Sequence, residues 1–116
     1  MDLAERCHRL TAGFPRAEQC RLTSQLIRAA ISIPANIAEG HARSSRKDYA
    51  RFIAIARGSL AETETFLLLA ERLELATEER LATVHALANR VGRMLTGLHG
   101  RLTEDLPSPH APEPSP

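Results

Sequence analysis

A chain of 116 residues holds one hydrophobic core, and apolar residues at 43% are enough to build it. With no tryptophan, one tyrosine and three phenylalanines, that core is aliphatic, which favours helix packing on helix over a β-sandwich. A formal net charge of +1 does not mark a nucleic-acid binder by bulk charge, and no stretch reaches the roughly 18 apolar residues that span a membrane.

The first segment, Asp2 to about Ala12, sets Leu3, Cys7, Leu10 and Phe14 at alternating four- and three-residue steps, one apolar stripe of a short helix. Gly13-Phe14-Pro15 ends it. The second segment runs from about Ala17 to Glu39 with two stripes, one of Leu22, Leu26, Ala30, Ile33 and Ile37, the other of Ile27, Ile31, Ala35 and Ala38. A helix apolar on two faces buries both, within its own bundle or against another subunit. Pro34 predicts a kink or a fresh start, with Ser32 as the cap of that restart, and Gly40 is a natural stop.

Ser45 and Asp48 spell a capping box that starts a third helix, running to about Leu73. Tyr49, Phe52, Ala56, Leu60, Thr63, Leu67 and Ala70 form one stripe on it, and Ile55, Ser59, Glu62, Phe66, Leu69 and Leu73 a second. Thr77 caps a fourth helix, with Glu78 and Glu79 in its first turn. Leu81, Val84, Ala88, Val91, Leu95, Leu98 and Leu102 keep the rhythm of near-parallel helix packing, while Asn89, Arg90, Arg93 and Arg101 make a solvated face. Alternate prolines from Pro107 onward forbid helix, so residues 105–116 form a tail, a spare solvated terminus or a ligand for a proline-recognition domain. The pattern predicts an all-α fold, an antiparallel up-down-up-down four-helix bundle over residues 1–104.

Catalytic patterns are missing. Glu5 and His8 make a single Glu-x-x-His without the second copy that a di-metal bundle needs, and no glycine loop cradles a phosphate. Cys7 and Cys20 form no CxxC and read as small core fillers in a reducing cytoplasm; nothing suggests a secretion leader. We therefore expect no enzyme activity, cofactor or metal. Small and polar residues do lie within the apolar stripes: Ser32, Asn36 and Glu39 in the second helix, Gly58, Ser59 and Glu62 in the third. They read as a satisfied network, with Asn36 and Glu62 fixing helix register, in preference to a ligand or acid–base site. Glycine costs about 1 kcal/mol inside a helix, so Gly58 predicts a close contact. Arginine supplies fourteen of the fifteen basic residues, Lys47 being the exception, and Arg43, Arg46, Lys47 and Arg51 cluster where the third helix begins. Repeated around a ring of subunits, that cluster becomes a surface for phosphate backbone.

Leu22-Thr23-Ser24-Gln25-Leu26, Arg28-Ala29-Ala30 and the run from Ser32 to Gly40, S-I-P-A-N-I-A-E-G, resemble the 23S rRNA intervening-sequence protein family, as does Ile55 to Glu62 with Leu67-Leu68-Leu69-Ala70 after it. The resemblance covers about Phe14 to Leu102. It implies a four-helix bundle assembled as a homopentamer, with no established enzymatic activity. A related branch, the accessory variability determinants of diversity-generating retroelements, binds nucleic acid and a reverse transcriptase, and is more strongly basic than this chain. The family's signature positions Ser32, Pro34, Asn36, Gly40, Gly58, Ser59 and Glu62 look architectural. The partners expected are further copies of this chain, RNA or DNA through Arg43, Arg46, Lys47 and Arg51, or another protein docked on a scaffold, and no membrane.

Overall fold

A computed structural model describes residues 1–13 and 19–104, the side chains of residues 19 and 20 excepted. The expected end of the first helix at Phe14-Pro15, the start near Ala17 and the tail from residue 105 lie outside the described residues. Four α-helices follow in order: α1, Asp2–Thr11; α2, Ser24–His41, entered through a π-helical turn at Gln19–Thr23; α3, Arg46–Arg72; and α4, Glu78–Thr103. No strand occurs among the described residues.

Neighbours run antiparallel, as contacts between them record. Residue numbers rise along α2 and fall along α3 from Arg28–Glu62 through Ser32–Ser59 to the approach of Gly40 to Phe52. From α3 to α4 the corresponding points are Glu71 with His85, Leu60 with Gly92, and Arg46 with Arg101. α1 and α3 each pack against α2 and α4. The shared core is aliphatic, with Cys7, Leu26, Ile53 and Leu67 fully buried. Burying such side chains, at about 1.5–3 kcal/mol each, is the main force holding the bundle together. Two buried threonines stay satisfied within their own helices: Thr11 Oγ1 donates to the His8 carbonyl at 2.9 Å and Thr63 Oγ1 to the Ser59 carbonyl at 2.8 Å.

The predicted caps form. Ser45 is extended and its Oγ accepts from the Asp48 N–H at 3.1 Å; Thr77 Oγ1 accepts from the Arg80 N–H at 3.3 Å. α3 ends in a motif that carries no glycine. Glu74 takes a left-handed φ of 55°, its N–H bonds the Glu71 carbonyl, and the Leu75 N–H reaches back to the Ala70 carbonyl at 3.0 Å. This is the Schellman arrangement, with buried Leu75 supplying its apolar contact.

Three expectations fail. Of the two outcomes expected at Pro34, the fresh start is the one that fails: α2 is continuous through it, so Ser32 is not a cap. Instead Asn36 Nδ2 donates to the Ser32 carbonyl at 2.8 Å, adding a bond in the turn that the proline weakens. Gly40 does not stop α2, which continues to His41. A Cβ at Gly40 would stand 2.8 Å from Phe52 Cβ and 3.0 Å from Tyr49 Cδ1, so glycine is there to let α3 approach. Gly58 meets no close neighbour in the protomer, where a Cβ would find nothing within 4 Å.

Candidate nucleic-acid interface

The four basic residues singled out in the sequence gather at one end of the bundle because α2 turns into α3 over only four residues. Arg43, Arg46, Lys47 and Arg51 are all exposed there. Two of them have carboxylates alongside. Arg43 Nη2 donates to Glu39 Oε1 one helical turn back, and Arg51 Nε lies 3.8 Å from Asp48 Oδ1. Both guanidinium groups also sit over the Phe52 ring, their Cζ atoms 4.9 and 4.6 Å from its centroid, a cation–π arrangement that holds them in place. Arg46 Nη2 donates to the Arg101 carbonyl, satisfying an end group of α4 and tying that helix to the start of α3. At least two carboxylates therefore stand beside these four cations among the described residues, and the patch is less positive than its spacing suggests.

The polar residues meet in a seam between α2 and α3. Ser32 Oγ and Ser59 Oγ are 2.8 Å apart, one hydroxyl donating to the other, Asn36 Nδ2 donates to Ser32 Oγ at 2.9 Å, and Arg28 Nη2 donates to Glu62 Oε2 at 2.6 Å. Each hydroxyl is occupied by the other, and no histidine addresses either one. The seam joins two helices; it offers no activated nucleophile. Glu39, which the sequence grouped with Asn36, points away to Arg43. Cys7 is equally unsuited to chemistry, since burial pushes its thiol up from an ordinary 9.0 to about 11. No three His, Cys, Asp or Glu side chains gather to hold a metal among the described residues, and Glu5 bonds Arg9 at 2.7 Å.

Two surfaces remain. On α2, Ile31 is 52% exposed, and Ala35 and Ala38 lie exposed on the same outward stripe; on α3, Ile55, Leu69 and Leu73 are exposed too. The second apolar stripes of both helices are thus left open in part, while Ser59 is buried in the seam and Phe66 packs against the core. The other surface lies between α1 and α4, where Arg6, Arg9, Thr83 and Arg90 line a groove of about 580 Å³ with Asp2 and Glu5.

The model of the 23S rRNA-intervening sequence protein family matches residues 1–97. The chain belongs to that family. In the solved structure of a protein with unknown function from the S23 ribosomal protein family of Bacteroides thetaiotaomicron, the same fold recurs with a TM-score of 0.77 at 29% identity. The match covers 84% of this chain and 92% of that one. No curated protein matches the chain. No helix among the described residues is long and apolar enough to cross a membrane.

Family membership and fold thus agree, and neither assigns a reaction. In the sequence alone the arginines of α4 read as a solvated face, with nothing to join them to α1. One signal was available: between Arg80 and Thr103 the chain contains no Asp or Glu. What it lacked was the knowledge that α1 lies alongside α4 and brings Arg6 and Arg9 to the same side.

Proposed function

We propose that this protein is a non-enzymatic, self-associating bundle, a homopentamer of the cytoplasm, that holds structured RNA or DNA on its basic surface. The observation that carries the reading is the outward stripe of α2, where Ile31, Ala35 and Ala38 face solvent. Exposed apolar side chains scattered singly need no explanation, but a helical stripe, with Ile55 and Leu69 also exposed on the adjoining helix, is a surface suited to burial. Small residues along it permit close helix approach. The resemblance to ring-forming family members supports a count of five, and the nucleic-acid-binding retroelement branch supports the class of partner. Arg43, Arg46, Lys47 and Arg51 are then multiplied around the ring.

A protein-interaction scaffold is the second reading, favoured by the pairing of Arg43 with Glu39 and of Arg51 with Asp48. Light scattering separates the cases. Wild-type protein should have a mass of about 64 kDa for five chains of 12.7 kDa, and Ile31→Glu should run as a folded species of lower mass. A monomeric wild type overturns self-association; a ring that takes up no bacterial RNA at low salt leaves the scaffold.

A further inference from the structure

We infer that the groove between α1 and α4, and not the α2–α3 loop, is the main phosphate-binding surface of the protein. The inference rests on the nucleic-acid reading above and gives it a different address. α4 brings Arg80 and Arg90 to the groove, with no carboxylate in its sequence from Arg80 to Thr103, while α1 adds Arg6 and Arg9. The main hollow is continued by a smaller one of about 170 Å³ that shares Arg6, Arg9 and Thr83 and is closed by Arg80. Among the described residues the opposing charges that line it are Asp2 and Glu5, and Glu5 is engaged with Arg9 at 2.7 Å. Arg80 Nη2 donates to the Arg9 carbonyl at 3.1 Å, which orients its guanidinium without cancelling its charge. Among the described residues, Arg6, Arg80 and Arg90 have no carboxylate within ion-pair distance, in contrast to Arg43 and Arg51 of the loop.

Arginine's planar fork matches phosphate oxygens in pairs, and a row of such forks in which Arg6, Arg80 and Arg90 are unpaired with carboxylates among the described residues follows a backbone along the two helices. Arg80 and Arg90 are about 15 Å apart along α4, the length of about four stacked nucleotides. Among the described residues no aromatic side chain lines either hollow, so this surface offers bases no ring to stack on and fits the backbone of a duplex better than splayed single strand. Ala86 and Leu87 are the apolar members of the groove's own lining, and the apolar hollow beside it shares only Asp2, Leu87 and Arg90 with it. None of these residues belongs to the outward stripe of α2, so the groove does not compete with self-association for side chains.

The test is fluorescence anisotropy of a labelled RNA duplex of about 20 base pairs, titrated with full-length protein across a salt series. Arg6→Glu/Arg90→Glu should weaken binding at least about tenfold and flatten the dependence of log affinity on log salt by about 2. Arg43→Glu/Lys47→Glu should do less. Arg6→Gln/Arg90→Gln, checked by circular dichroism, should show a smaller loss in the same direction and serves if the Glu variant does not fold. Wild-type affinity in Arg6→Glu/Arg90→Glu, with loss in the loop variant, would overturn the groove and keep the nucleic-acid reading. A wild type that ignores the duplex at low salt would end both. Displacement of the duplex by an equal concentration of polyglutamate would make the groove a site for an acidic protein and overturn the assignment.

Discussion

Cys7 has no exposed surface, and a thiol in such a place resists ionisation because its thiolate would lose water without gaining a partner. The unfolded chain releases that proton near pH 9.0, the folded chain only near 11. Stability that depends on the neutral thiol is therefore fully present below pH 9 and is lost as pH rises towards 11, by about 2 kcal/mol. Urea unfolding on both sides of this window checks it. The wild-type midpoint should fall more steeply than that of Cys7→Ala, which starts lower because of its cavity but lacks the titrating group. Equal slopes would mean that the thiol does not titrate in this window. The same burial predicts no modification of Cys7 by thiol reagents until the bundle opens. Gly40 shows a different constraint on one residue. Its missing side chain is required by Phe52 and Tyr49, which belong to another helix, and not by its own backbone, which stays helical.

Helix length and phase were legible because they are local properties. The steps of three and four from Leu81 to Leu102, and the oxygen-bearing caps at Ser45 and Thr77, describe what happens within one or two turns. The ends that misled are those settled by distant residues. Pro34 and Gly40 are breakers in isolation, yet α2 passes through both, held by Ile33, Leu26 and Ala30 in the core and by the serine pair to α3. Packing outweighs one missing backbone bond. The left-handed residue closing α3 had no glycine to announce it. An L-residue in that conformation costs about 1 kcal/mol, so Glu74→Gly should raise stability by about that much, read as a shift in thermal midpoint without change in the helical circular dichroism. An unchanged or lowered midpoint would mean that Glu74 makes contacts worth more than its backbone strain. The candidate site follows the same division. A charge cluster at residues 43–51 is visible in a linear sequence, but Arg6 and Arg90 are far apart in the chain, and only the packing of α1 on α4 makes them neighbours.

For the whole molecule, Gly58 separates a free surface from a covered one. In the protomer an added Cβ would meet nothing, so Gly58→Ala should stabilise an isolated chain by up to about 1 kcal/mol through helix propensity. If another copy packs there, the same methyl group stands in the interface and lowers the assembly's mass at limiting concentration. Measuring unfolding and oligomeric mass on this variant distinguishes the two, and a gain in stability with unchanged assembly would remove Gly58 from the interface. The Arg28–Glu62 pair behaves in parallel. Partly exposed, it is worth little more than about 1 kcal/mol in the protomer, and it strengthens only if a neighbouring chain excludes water from it.

The aliphatic core also has an optical consequence. With tryptophan absent, Tyr49 is the one residue that fluoresces usefully, and it is half-buried at the α2–α3 end, edge-on to His41 with ring centres 5.8 Å apart. Its emission reports on that end alone. A phosphate settling beside Arg43 and Phe52 alters the light directly. Occupation of the groove around Arg90, three turns along α4 from the level of Arg101, leaves it unchanged. The molecule thus carries its own unlabelled probe for one of its two basic surfaces, and its silence identifies the other.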